Sequence, residues 1–272
     1  MRLVFVGGGN MGCALVGGLL AQGQFPDTLT VIETDAAAQA RLHGEFGVSV
    51  ASALSADVAA KADAMVLAVK PQHLRGAALS LAPFLTAQLI VSIAAGVRIA
   101  DLSRWLGGYV RVVRAMPNTP ALLRLGIAGL FAHPAVTARE RERAEEIMNA
   151  VGQSLWCERE QQLDAVTAVS GSGPAYIFYV LEAMITAAET LGFTAAQARQ
   201  LAYSTAAGAT ALAAQSSDPA TVLRAQVTSK GGTTEAAVAV LDQYAVKAAF
   251  MAAIRAADAR AAELGDQLGK DS

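Results

Sequence analysis

As far as Cys157 the apolar residues of this chain gather in short blocks, and beyond it they follow a helical rhythm. The blocks are Leu3-Val4-Phe5-Val6, Leu29-Thr30-Val31-Ile32, Val48-Ser49-Val50, Ala64 to Val69, Leu89 to Ile93, Val110 to Arg114, Gly126 to Phe131 and Gln153 to Cys157. Each reads as a strand. Helix-compatible stretches lie between them, at 13–22, 55–61 and 139–148; the alternating charges of the last mark a solvated face with i, i+3 and i, i+4 pairs. Strands alternating with helices at this spacing predict a doubly wound parallel sheet.

From Gln161 the period is helical, with helices expected at 175–191, 195–214, 219–225, 235–241 and 245–264. Ser170-Gly171-Ser172-Gly173-Pro174 reads as a helix start, with proline where its missing N–H does no harm. The helix that follows carries Tyr176, Ile177, Phe178, Tyr179, Val180, Leu181, Met184 and Ile185. It is apolar on nearly every side and has to be buried all round. About 110 residues of helix are too few to enclose it alone, so an intertwined homodimer is expected. The domains are then 1–158, a sheet domain, and 159–272, an all-α dimerisation domain.

The first strand runs directly into Gly7-Gly8-Gly9-Asn10-Met11-Gly12. Gly7, Gly9 and Gly12 fit G-x-G-x-x-G: the first for a tight turn, the second for close approach to a pyrophosphate, the third for helix against strand. The helix opening there aims unpaired N–H groups and its positive dipole end at an anion. Glu33 ends the second strand about twenty residues further on, where an acid accepts hydrogen bonds from the adenosine ribose. The sheet domain is therefore read as Rossmann-type, binding a dinucleotide. In such sheets ligands sit at the C-terminal strand ends. Val69-Lys70-Pro71, Ala94-Ala95-Gly96 and Met116-Pro117-Asn118 should all face that cleft, although Pro71, Pro117 and Pro120 also serve simply to stop strands.

Composition narrows the classes. The chain of 272 residues is 54% apolar and only 6% aromatic, with net charge −2. No basic surface is implied, so nucleic acid is not an expected partner. Cys13 and Cys157 lack CxxC or metal spacing and read as buried reduced thiols of a cytoplasmic protein. His43, His73 and His133 are scattered, so no metal is expected. Arg2 and the apolar residues after it resemble a signal peptide, but the three glycines and Asn10 interrupt that run. No apolar run reaches the ~18 residues of a membrane span.

A second glycine corner, Val227-Thr228-Ser229-Lys230-Gly231-Gly232-Thr233-Thr234, precedes the helix at 235–241. Rich in hydroxyls and amides, it is a second anion seat, with an ordinary N-cap by Thr233 or Thr234 as the compatible alternative. Dinucleotide and anion seats together suggest hydride transfer to a small carboxylate-bearing substrate. Oxidising an alcohol needs a His or Lys base, and the helix at 175–191 holds neither. Reducing a C=N bond asks only for a hydrogen bond or proton at nitrogen, which Thr234 or a water can supply.

Gly-Gly-Gly-Asn-Met-Gly at 7–12, Ala-Val-Lys-Pro at 68–71, Ser-Ile-Ala-Ala-Gly-Val at 92–97, Arg-Ala-Met-Pro-Asn-Thr-Pro at 114–120, Ser-Gly-Ser-Gly-Pro-Ala-Tyr at 170–176 and Thr-Ser-Lys-Gly-Gly-Thr-Thr at 228–234 stand in this order. Over nearly the whole chain they resemble the pyrroline-5-carboxylate reductase family. The resemblance implies hydride transfer from NAD(P)H to C5 of 1-pyrroline-5-carboxylate, giving L-proline. It also implies a dimer through the helical domain, often a pentamer of dimers, with the substrate loop meeting the cofactor across the dimer.

Carried over by position, Ser229, Gly231, Gly232, Thr233 and Thr234 would bind the substrate, with Thr234 at the imine nitrogen. Gly7, Gly9, Asn10, Met11, Gly12, Glu33, Thr34, Ala68, Val69, Lys70, Pro71, Ala95 and Asn118 would hold the cofactor. The chain departs from the family pattern at Lys230, where many members have proline, and at Glu33-Thr34. A carboxylate at Glu33 repels a 2′-phosphate, which tilts the expectation toward NADH over NADPH. Three rivals remain: another cyclic imine reductase, a β-hydroxyacid dehydrogenase relative, and a non-enzymatic NAD(P)-sensing regulator. The second of these wants a lysine on the interdomain helix that 170–191 lacks.

Overall fold

The computed structural model describes residues 1–270. Strand and helix alternate through the first half: β1 (Leu3–Val6), α1 (Asn10–Ala21), β2 (Leu29–Ile32), α2 (Ala36–Phe46), β3 (Ser49–Ala51), α3 (Ala56–Lys61), β4 (Ala64–Leu67), α4 (Pro71–Leu81), β5 (Leu89–Ser92), α5 (Ile99–Trp105) and β6 (Val112–Met116). Then come β7 (Gly126–Ala132), α6 (Ala138–Asn149), β8 (Gly152–Trp156) and α7 (Gln162–Val166). Every expected strand is present, within two residues of its expected bounds.

The eight strands form one sheet in the order β3-β2-β1-β4-β5-β6-β7-β8. The first six are parallel, and the order reverses between β1 and β4. The expected doubly wound parallel sheet is present with its last two strands reversed, since β7 runs antiparallel to β6 and carries β8 parallel to itself. The connection from Met116 to Gly126 is too short for the crossover that a parallel neighbour requires, whereas α6 supplies one between β7 and β8.

Strand residues alternate between two cores. Leu3, Phe5, Val31, Val66 and Val91 face one, closed by Leu15, Val16 and Leu42 of the helices. Val4, Val6, Met65, Leu67 and Ile90 face the other, against Leu74, Ala78 and Leu102. Each fully buried side chain of this size contributes about 1.5–3 kcal/mol, and burial on both faces explains why these blocks read as unbroken apolar runs.

The chain forms two compact units, one of Met1–Ser172 with the segment from Ala257 on, the other Gly173–Ala256. The expected border after Glu158 lies where the β-signal stops. α7 nevertheless belongs with the sheet, because Leu163 and Val166 lie against Gly129 of β7. The last two positions of the expected 159–272 domain lie outside the described residues.

Between α7 and α8 (Gly173–Thr190) runs a π turn, Thr167–Gly171, so Ser170 to Pro174 is a bulge in a helical path rather than a clean helix start. The second unit continues with α9 (Ala195–Gln215), α10 (Ala220–Gln226), α11 (Thr233–Gln243) and the first turns of α12 (Val246–Leu268). Thr194 and Gln197 close a capping box on α9. No residue of α8 is buried within the chain: Ile177, Phe178 and Tyr179 are 54%, 60% and 73% exposed. So much bare apolar helix has to be covered by another molecule. Among the described residues no single helix is long and apolar enough to cross a membrane; α11 and α12 meet that combined requirement only jointly, across a 51° bend.

Candidate active site

β1 ends at Val6 and the backbone turns at Gly7, whose φ of +106° lies in the region that favours glycine. A Cβ there would also press to 2.8 Å from the carbonyl oxygen of Ala68. Gly9 forms the N-cap of α1 without a side-chain cap, and a Cβ on it would meet nothing within 4 Å. The first turn of α1 thus opens, uncapped, onto clear space, which is what an approaching pyrophosphate requires. At Gly12 a Cβ would sit 2.5 Å from the carbonyl oxygen of Gly7, so the third glycine is demanded by packing alone.

Glu33 binds this turn. Its Oε2 accepts the Gly8 N–H at 2.9 Å, and its Oε1 accepts those of Thr34 at 2.7 Å and Asp35 at 3.0 Å. Burial pushes the Glu33 carboxyl up, but the backbone donors of Asp35, Gly8 and Thr34 together outweigh it and hold the group below its ordinary value. Cys13 is half-buried rather than buried, its thiol donating to the Gly8 carbonyl at 3.2 Å with the Arg41 guanidinium 3.6 Å from sulfur. Cys157 is buried as expected, and that burial raises its thiol pKa.

Above the switch point between β1 and β4 lies a cleft of about 780 Å³. Gly7, Gly9, Glu33, Thr34, Ala68, Val69 and Lys70 line it, gathered from three strand ends. Size, position and the uncapped helix start fit a dinucleotide. Asn10 and Met11 occupy the adjoining first turn of α1. Pro71 and Ala95 line a second cavity, of about 270 Å³, with Gly96 and Thr167. Asn118 is buried and spoken for within the fold: its Nδ2 donates to the Ser170 carbonyl at 3.1 Å and its Oδ1 accepts the Ile127 N–H at 2.9 Å.

Ser52, Leu54, His73, Gly76, Ala77, Ser80 and Phe84 also line the larger cleft, and reading the strand ends alone missed them. A signal existed, since 73, 76, 77 and 80 follow i, i+3, i+4, i+7 along α4 and present one face with small residues at its centre.

The second glycine corner leads into α11, with Gly231 at φ +72° and Gly232 as an N-cap that has no side-chain bond. The capping alternative therefore falls away: among the described residues neither the Thr233 nor the Thr234 hydroxyl caps the helix. Two amides expected to be free are engaged, Gly231 N–H with Glu235 Oε2 at 2.7 Å and Gly232 N–H with the Ser229 carbonyl at 3.0 Å. Gly232 has no room for a Cβ, which would lie 2.5 Å from Ser229 Oγ. The two glycines thus shape the corner, and the amides of Thr233 and Thr234, in the first turn of the helix, remain for an anion.

Comparison with known proteins matches residues 160–264 to the family described as pyrroline-5-carboxylate reductase dimerisation. Residues 2–96 match NADP oxidoreductase coenzyme F420-dependent. The chain is 46% identical over 270 residues to the pyrroline-5-carboxylate reductase of Pseudomonas aeruginosa, covering 99% of this chain and 98% of that one. It is 35% identical over 259 residues to the Escherichia coli protein of the same name, covering 93% and 94%. Among solved structures, a pyrroline-5-carboxylate reductase from Coxiella burnetii superposes with TM-score 0.91 at 39% identity, covering 97% of this chain and 98% of that one. Plasmodium falciparum pyrroline carboxylate reductase with NADP bound gives 0.85 at 26%, with the same coverage.

Proposed function

This chain belongs to the pyrroline-5-carboxylate reductase family, and from that premise we propose how its residues divide the work. The protein is a dimeric oxidoreductase of proline biosynthesis that reduces the C=N bond of 1-pyrroline-5-carboxylate to give L-proline. NAD(P)H, when bound, supplies the hydride that C5 of the ring receives.

The amides of Gly9, Asn10 and Met11 hold the pyrophosphate, while Gly7 and Gly12 give the turn its shape. Glu33 and Thr34 receive the adenosine ribose. Ala68, Val69, Lys70, Pro71 and Ala95 line the nicotinamide side. Asn118, expected from the sequence to hold the cofactor, instead fixes the segment that follows β6 and takes no part in binding it. Ser229, Thr233 and Thr234 bind the substrate carboxylate on a corner shaped by Gly231 and Gly232. The Thr234 hydroxyl hydrogen-bonds the ring nitrogen. A protonated imine is already electrophilic, so the chain has only to steady the nitrogen while C5 changes geometry, which a hydrogen bond to a charged group does at about 1.5–3 kcal/mol.

The observation that carries this assignment is the start of α11, where Gly232 is an N-cap without a side-chain bond and Thr233 and Thr234 occupy the first turn. The same reading extends to NADH used at least as well as NADPH, to dimers assembled as a pentamer of dimers, and to a cytoplasmic location. Its test follows NADH oxidation with 1-pyrroline-5-carboxylate in a spectrophotometer. Thr234→Val should lower kcat by about tenfold or more, the equivalent of 1.4 kcal/mol, with the dimer intact. Unchanged turnover would leave Thr234 no part in the chemistry.

A further inference from the structure

The loop from Ala94 to Arg98 joins β5 to α5 and is anchored at both ends. Ala94 and Val97 are buried in the core. Glu160 Oε1 accepts the Ile99 N–H and the buried Arg114 guanidinium, each at 2.7 Å. Between these anchors Ala95 and Gly96 are only half-buried, with Gly96 at φ +83°. Neither belongs to a strand.

What covers them comes from the far end of the chain. A Cβ on Gly96 would lie 2.9 Å from Cδ1 of Leu268, which packs against the core cluster containing Val97 and Ile99. One turn earlier the Arg98 guanidinium lies against Gly265, where a Cβ would be 2.9 Å from Nη2. Arg98 Nη1 stands 2.8 Å from Asp164 Oδ2, close enough for an ion pair though not aligned as a hydrogen bond. Arg104 donates to the Gly269 carbonyl at 2.8 Å. Ala261, Leu264 and Leu268 form one wall of the 270 Å³ cavity that Pro71 and Ala95 also line.

Resting on the reading that Pro71 and Ala95 face the nicotinamide, we propose that Leu268 and Gly265 are positioning residues for the cofactor. The last two turns of α12 hold the Ala95–Gly96 backbone in place. They thereby set affinity for the nicotinamide half of the cofactor without touching it. A left-handed glycine between two anchors is the most mobile point of such a loop, and fixing it beforehand removes an ordering cost from the binding step.

Full-length dimers of Leu268→Ala and Gly265→Ala, titrated with NADH and with ADP, test this, because ADP carries only the adenosine and pyrophosphate part. Gly265→Ala adds a single methyl against the flexible Arg98 guanidinium, so it answers the question even if Leu268→Ala unfolds. NADH Kd should weaken by about three- to tenfold while ADP Kd stays constant. Equal weakening for both ligands, or for neither, overturns the proposal. Ala95→Leu separates the two layers of the argument. NADH affinity unchanged in Ala95→Leu removes Ala95 from the nicotinamide side. Affinity lost there but kept in both α12 variants leaves that reading standing and removes the role of the helix end.

Discussion

Glu33 holds the amide of Gly8 through Oε2 at 2.9 Å. One carboxylate therefore fixes the glycine turn and also stands at the end of β2, where the adenosine ribose is expected. A change at Glu33 acts on both.

Cofactor choice is expected to follow from the charge on Glu33. A 2′-phosphate brought beside this carboxylate is repelled, so kcat/KM with NADH should equal or exceed that with NADPH. Glu33→Arg should shift the ratio toward NADPH, with some loss for both cofactors because the Gly8 amide loses its acceptor. A preference of about tenfold or more for NADPH in the unaltered protein, 1.4 kcal/mol, would show that charge at Glu33 does not govern the choice.

The lowered pKa of Glu33 has a defined pH signature. Its folded-state value is depressed, so its contribution to stability is complete above the unfolded value and is lost as pH falls through the folded one. The Tm of the unaltered protein should exceed that of Glu33→Gln at neutral pH, and the gap should close below the ordinary carboxyl range. A gap constant with pH would mean that the charge on Glu33 contributes nothing.

Gly9 and Gly12 should fail in different ways. In Gly12→Ala the new methyl meets the Gly7 carbonyl, and overpacking of this kind costs about 1–3 kcal/mol, seen as a lower Tm. In Gly9→Ala the methyl enters open space, so Tm should hold while NADH affinity falls about tenfold or more. Thermal unfolding and nucleotide titration of the two variants check the pair, and a stable Gly12→Ala or a fully binding Gly9→Ala would contradict it.

Asn118→Ala should lower Tm. The change strips partners from the Ile127 N–H and the Ser170 carbonyl, and each buried group left unpaired costs about 1–3 kcal/mol. NADH affinity of the folded variant should be unchanged. Affinity lost with Tm intact would return Asn118 to the cofactor.

The sequence alone determined the elements and the glycine turns that a few neighbouring residues define. Two-sided burial writes itself as unbroken apolar blocks such as 3–6 and 64–67, and the turn at 7–12 is legible because the left-handed φ of Gly7 and the contact of Gly12 with the Gly7 carbonyl both arise within one strand, turn and helix. The unaided helix at 173–190 betrayed its need for a partner through composition. Tertiary structure decided what depends on which distant groups meet. The direction of β7, the use of the Gly231 and Gly232 amides, the commitment of Asn118 to Ser170, the α4 face in the cleft and the return of Leu268 to Gly96 were all settled there. A hydrogen bond or a van der Waals contact carries no local periodicity, so a side chain's partner emerges only once the chain has closed on itself.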